Sequence, residues 1–169
     1  MQKLALDLWL EKYGESHQNP INQVIHKICV PVIFFSLLGL LWAIPVGPLN
    51  MALLVSLILL PFYIRLGQRA LLVILPQLLL SLLLLAYWEQ WFLQRQLNLD
   101  FEQFFSADPG GLEYWAPWKI CLGLFVIAWI GQFVGHKIEG KKPSFFEDLK
   151  FLLIGPLWVF IPRNKPDNI

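Results

Sequence analysis

Cysteine, charge and histidine are all scarce in this chain. Two cysteines, Cys29 and Cys121, are too few for a disulfide framework. Charged residues make up only 15% of the sequence and the net charge is +1, so the basic footprint of a nucleic-acid binder is missing. No run of like charge, low-complexity stretch or internal repeat is present. A clean apolar opening is lacking as well. Asp7, Glu11, Lys12 and Glu15 interrupt Met1 to Gln18, so this stretch does not read as a cleavable signal peptide. No Cys-x-x-Cys-His motif attaches a c-type haem. Histidine occurs three times.

What the chain has instead is apolar length. Its 169 residues suit one domain, 57% of them are hydrophobic, and the mean hydropathy is +0.57. Eight Trp and thirteen Phe supply rings, several at the ends of apolar runs, where aromatic belts form. A helical span needs about 20 apolar residues. Four segments meet or approach this: Ile28–Val46, Met51–Ile64, Leu71–Leu93 and Ile120–Val134, the last preceded by Trp115 to Trp118. Phe151–Ile161 is too short to span and contains Gly155-Pro156, which predicts an interfacial or re-entrant helix. The expected fold is all-α: one integral membrane domain over residues 1–169, a multi-pass helical bundle of about four spans with short accessory helices.

Lysine and arginine orient such a bundle. With four spans, Arg95 and Lys119 fall on one side, and the other Lys and Arg residues of the 13 fall on the opposite side. The poorer side carries Asp100, Glu102, Asp108 and Glu113 instead. This predicts both termini and the Arg65–Arg69 loop at the cytoplasmic face, of either a bacterial inner membrane or the endoplasmic reticulum. The Gln94–Trp118 loop is then outside or lumenal. Cys29 and Cys121 are predicted near opposite faces and hence unpaired.

The same arithmetic gathers the histidines. His17 and His26 precede the first span and His136 follows the fourth, so all three reach the positive face from distant parts of the chain. Asn19 is a good N-cap and Pro20 suits the first helical position, so a helix is expected to start there. Asn22 and His26 share a face of it. Pro31 is expected to free a backbone group beside His26 and to kink the helix. In the second cluster Gln132, His136 and Glu139 lie on one helical stripe, and Gly131 and Gly135 permit close helix approach.

Ionisable groups at membrane depth default to a functional reading. Three imidazoles and a carboxylate can hold a metal, and such nitrogen- and oxygen-rich sets suit Zn, Cu, Ni or non-haem Fe(II). A lone boundary histidine is more often an interfacial hydrogen-bonder, but three from separate segments make a stronger case. Glu139 is either a fourth ligand or the partner of a nearby lysine. Asn22 and Gln132 read as helix–helix hydrogen-bonders or as supports that orient the ligands. Cys29 reads as packing. Glu89, with Trp88 and Trp91, reads as an anchor at the far interface.

The stretch His17-Gln18-Asn19-Pro20-Ile21-Asn22, then His26 and Pro31, resembles the opening motif of the membrane 2-hydroxy-fatty-acid dioxygenases. This family is named for the metabolism of phytosphingosine to odd-numbered fatty acids. Gln132, Gly135-His136, Glu139-Gly140-Lys141-Lys142-Pro143 and Gly155-Pro156 continue the likeness along nearly the whole chain. The resemblance implies an Fe(II)-dependent membrane oxidoreductase with His17, His26 and His136 as metal ligands and Glu139 as a candidate fourth. Its partners would be membrane lipid, O2 and a 2-hydroxy fatty acid that chelates the iron. C1 would leave as CO2 and C2 would become the new carboxyl carbon, with no 2-oxoglutarate required. A lipid-directed zinc hydrolase, a b-type haem protein and a non-enzymatic membrane scaffold are the rival readings of the same residues.

Overall fold

The computed structural model describes residues 5–103, 117–143 and 150–161, with side chains for all of these but 95–103. Of the expected Gln94–Trp118 loop, residues 94–103 are helical instead, 117 and 118 open the next helix, and 104–116 lie outside the described residues; the charges at Lys3, Arg95, Arg163 and Lys165 lie outside the described side chains. Six helices are described: α1 (Ala5–Gly14), α2 (Pro20–Trp42), α3 (Met51–Leu66), α4 (Gln68–Gln103), α5 (Pro117–Glu139) and α6 (Phe151–Phe160). A two-residue antiparallel bridge, β1 (Pro45–Val46) with β2 (Leu49–Asn50), turns the chain between α2 and α3.

The all-α membrane fold expected from composition is what forms. α2, the Gln68–Gln94 part of α4, and α5 are each long and apolar enough to cross a membrane. α3 has 16 residues, about 24 Å at 1.5 Å per residue, against a hydrocarbon core of about 30 Å. It packs on α2 and α4 as a fourth, shorter member of the bundle. The first expected span began at Ile28 and ended at Val46. The helix instead begins at Pro20 and stops at Trp42, because Pro45 and Gly47, the latter at φ +57°, turn the chain into the bridge. α2 runs on through Pro31, whose missing N–H leaves the Lys27 carbonyl without its intrahelical donor.

Burial is inverted relative to a soluble protein. Leu72, Ile127 and Ile58 are about two-thirds exposed, at 66%, 68% and 65%, whereas His17, Asn22 and His26 are fully buried. Such an apolar exterior suits lipid, and a polar interior must find partners inside the protein.

The packing that matters most is α2 against α5. Glycines set its distance. A Cβ on Gly131 would come 2.6 Å from the Cys29 sulfur, and one on Gly39 or Gly135 would overlap Cys121 or Asn22. The pairing is antiparallel, since the start of α2 meets the end of α5 and the end of α2 meets its start. Cys29 therefore lies near the middle of this pair and Cys121 toward the end where α5 starts, at different depths, and both are free. The first turns of α2 and α4 and the last turns of α3 and α5 share one end of the bundle. α1 and α6 pack there around Leu6, Leu10, Tyr13, Phe151, Ile154 and Trp158, and Arg69 ties α4 to Asp7 of α1 at 3.0 Å. At the other end the Trp42 indole donates to Glu89 at 2.8 Å, which gives the expected anchor at Glu89 a partner.

Because, among the described residues, the Cys29 sulfur is the side-chain atom that crowds Gly131, the two positions are coupled. Gly131→Ala should destabilise the protein by about 1–3 kcal/mol, and adding Cys29→Ala should recover most of that loss. Thermal unfolding in detergent of the two single variants and the double variant measures this; equal losses in Gly131→Ala with and without Cys29→Ala would contradict the packing described.

Candidate metal centre

His17 lies in the turn after α1, His26 in the second turn of α2, and His136 in the last turn of α5. Each is placed by a local device. The His17 ring stacks on Tyr13 four residues earlier, with centroids 4.3 Å apart and planes 5° from parallel. Asn19 caps α2 by accepting from the Ile21 amide at 2.9 Å, with Pro20 behind it, as the sequence predicts. α5 ends on Gly140 at φ +71°, where the Lys141 amide reaches back to the His136 carbonyl and the Gly140 amide to that of Lys137. This paired closure needs a left-handed residue, and it fixes His136 and Glu139 in the final turn.

The three rings meet face to edge. Centroids are 4.2 Å apart for His17 and His26, and 4.9 Å for each of them with His136. One ring nitrogen from each lies within 4.8 Å of the other two. The rings are 0%, 0% and 5% exposed. Backbone groups settle which nitrogen carries hydrogen. Nδ1 of His17 donates to the Tyr13 carbonyl at 2.6 Å, and Nδ1 of His26 to the Asn22 carbonyl at 3.0 Å. That leaves Nε2 of both rings buried and unpaired, together with Nδ1 of His136. Burial, then the neighbouring His26, pushes the His17 ring down to about 3, so it is neutral at physiological pH and Nε2 keeps its lone pair.

Three buried ring nitrogens with no partner among the described residues cost about 1–3 kcal/mol each if left so. A cation removes that cost. Neutral imidazoles whose other nitrogen is held by a carbonyl are the usual donor set for Zn, Cu, Fe or Ni, so the residues present fit a metal ion.

Glu139 stands apart from this triad. Its Oε1 accepts from the Gln18 amide at 2.8 Å, and its Oε2 from the Asn19 amide at 2.8 Å and the Asn22 side chain at 3.0 Å. The carboxylate thus clasps the positive start of α2 to the end of α5. Lys141, one of the lysines beside it in sequence, donates to the Glu15 carbonyl at 2.6 Å rather than to Glu139. Asn22 bridges His26 and Glu139. Gln132 is buried beside His26 and keeps its own amide nitrogen unpaired among the described residues.

Tyr13 and Trp158 escape a reading by motif. Trp158 packs on His17 at 4.9 Å, and both rings wall the histidines on the α1–α6 side. The signal for Tyr13 is present but faint. Leu6, Leu10 and Tyr13 follow helical spacing, and Tyr13 to His17 is one further step along the same stripe.

Below the triad a cavity of about 510 Å³ opens between α2, α3, α4, α5 and α6. Tyr13, Gln132 and His136 line its histidine end, and the remainder of the wall is almost wholly apolar.

The profile of a family described as 2-hydroxy-palmitic acid dioxygenase Mpo1-like matches residues 5–162. The chain belongs to this family. It is 29% identical over 165 residues to the Saccharomyces cerevisiae protein named 2-hydroxy-palmitic acid dioxygenase MPO1, covering 90% of this chain and 81% of the yeast protein. No solved structure matches. The matched region contains every residue of the triad and of the Glu139 clasp.

Glu139 and the histidines should respond differently to removal. Glu139→Ala should weaken metal affinity by roughly 10–100-fold, as loss of a ligand-supporting group does, yet still bind to full stoichiometry at saturating metal. Equilibrium metal titration checks this. Loss of stoichiometric binding at any metal concentration would make Glu139 a ligand instead.

Proposed function

We propose that this protein is an Fe(II)-dependent dioxygenase that shortens 2-hydroxy fatty acids by one carbon, releasing C1 as CO2. The observation that carries the reading is the triad of neutral, buried, unpaired imidazole nitrogens at the end of an apolar cavity, in a chain of this family. The overall change is balanced: 2-hydroxy acid plus O2 gives the shorter acid, CO2 and water, with no outside reductant.

His17, His26 and His136 hold the metal in this reading, and the Tyr13 and Asn22 carbonyls keep the first two rings in the tautomer that presents Nε2. Iron, when bound, supplies the redox chemistry that lets O2 react with a closed-shell acid, and Lewis acidity toward the 2-hydroxyl. The chain's other residues orient and shield. Gln132 offers an unpaired amide donor beside His136 at the head of the cavity, suited to hold the acid's carboxylate. Tyr13 and Trp158 cover the His17 ring and keep water from that side. Glu139 keeps the two ends of the ligand set together.

The site's depth suits the substrate class. A fatty acid rests with its head at the membrane interface, and each CH2 drawn into water would cost ~0.8 kcal/mol. A centre at the bundle's end meets the head while the tail stays in apolar surroundings. The surplus of Lys and Arg at the same end supports a cytoplasmic placing of the triad, and it favours approach of a carboxylate.

Purified protein reconstituted with Fe(II) should consume O2 on addition of 2-hydroxypalmitate, in equal amounts with CO2 and the 15-carbon acid expected of one-carbon shortening (about one carbon lost per O2 by the stoichiometry above). A C1 isotope label should appear in CO2. His26→Ala and His136→Ala should lower turnover by at least about 100-fold. Tightly held zinc without iron, no O2 uptake and retained C1 label would point to a lipid hydrolase and overturn the proposal.

A further inference from the structure

The cavity has a direction. On α2 its lining residues include Val30, Phe34, Leu38 and Leu41, and on α5 they are His136, Gln132, Trp129 and Phe125. Both sets advance by three or four residues, one helical turn at a time, away from the histidines. On α3 the lining descends likewise, from Tyr63 to Val55. Three walls therefore describe a slot parallel to the helices; the α2 and α5 linings each run about 16 Å and the α3 lining about 12 Å at 1.5 Å per residue, and the first two are offset along the axis, since Gly39 lies against Cys121 and Gly131 against Cys29. Its polar groups gather at the histidine end; near the floor the only hydroxyl, on Ser56, already donates to the Ala52 carbonyl at 2.6 Å.

We infer that this slot seats the acyl tail as a ruler, with Leu41, Val55 and Phe125 as the floor that sets chain length. The inference rests on the dioxygenase reading for what sits at the head, but not for the slot itself. An extended chain advances about 1.25 Å per methylene, from C–C bonds of about 1.5 Å at near-tetrahedral angles. A stretch of about 16 Å takes about 13 methylenes, and the offset between the walls lengthens the slot, so the best-fitting acid has at least about 14 carbons.

The discrimination follows from fit rather than from hydrophobicity. A tail entering from the bilayer exchanges one apolar surrounding for another, so added methylenes gain little by leaving lipid. A short tail leaves wall atoms without contacts, and a long one strikes the floor. The length profile is consequently peaked, not rising.

Two measurements on the purified full chain test this. The first is binding of unhydroxylated saturated fatty acids from 10 to 20 carbons (a chosen range of about six even lengths), by displacement of a fluorescent fatty acid. The second is turnover of the matching 2-hydroxy acids. Both should peak near the same length and fall about tenfold four carbons beyond it. Leu41→Trp or Val55→Phe should move the peak to shorter acids, and Phe125→Ala, which enlarges the floor, to longer ones. Leu122→Trp, on an exposed position of α5, should leave it in place. A peaked binding profile that the floor variants shift, without any turnover, would overturn the dioxygenase reading and leave the ruler standing. Turnover whose length profile is flat, or indifferent to all three floor variants, would overturn the ruler and leave the dioxygenase standing.

Discussion

Three imidazoles buried against one another, each with one nitrogen that no group among the described residues satisfies, are the constraint on which this structure depends. Several other interior polar groups are tied off: Ser36 and Ser56 bond back to their own helices, and Tyr63 donates to α6. At the triad the chain does the opposite. It uses backbone carbonyls to take the hydrogen of His17 and His26, and so turns a bare nitrogen of each inward. An arrangement that costs folding energy without a ligand is understandable where a ligand is meant to complete it.

The rest of the fold serves that arrangement. Gly131 and Gly135 let α5 lie close on α2, so that His136 reaches His26. Gly140 closes α5 one turn later and presents Glu139 to the start of α2. The clasp then fixes the turn that carries His17. Long-range contacts thereby convert two short motifs, more than a hundred residues apart in sequence, into one centre. α1 and α6 add an aromatic cover, and the cavity beneath leads into the apolar interior.

Much of this is legible in the sequence, for physical reasons. Hydropathy gives the helices because lipid demands runs of apolar residues, and Lys and Arg bias gathers the histidine-bearing ends. Asn19-Pro20 announces the start of α2. The limits are equally physical. Spacing puts Gln132, His136 and Glu139 on one stripe but does not rotate that stripe toward a partner. The carboxylate's engagement with two backbone amides was therefore out of reach, and Glu139 read as a ligand or a lysine partner. Tyr13 was missed because α1 is short and interrupted by charge, and its role depends on folding back beside α6. Hydropathy does not mark the end of the first span, because an apolar run continues past Trp42, whereas Pro45 and Gly47 halt the helix.

What joins fold to chemistry is the identity of the atoms that meet the metal. X-ray absorption of the iron-loaded protein reads that most directly. The account predicts the outer-shell scattering of three imidazoles, one of them lost in each of His17→Ala, His26→Ala and His136→Ala. Fewer than three imidazoles in the intact protein, or a sulfur ligand from Cys29, would contradict it.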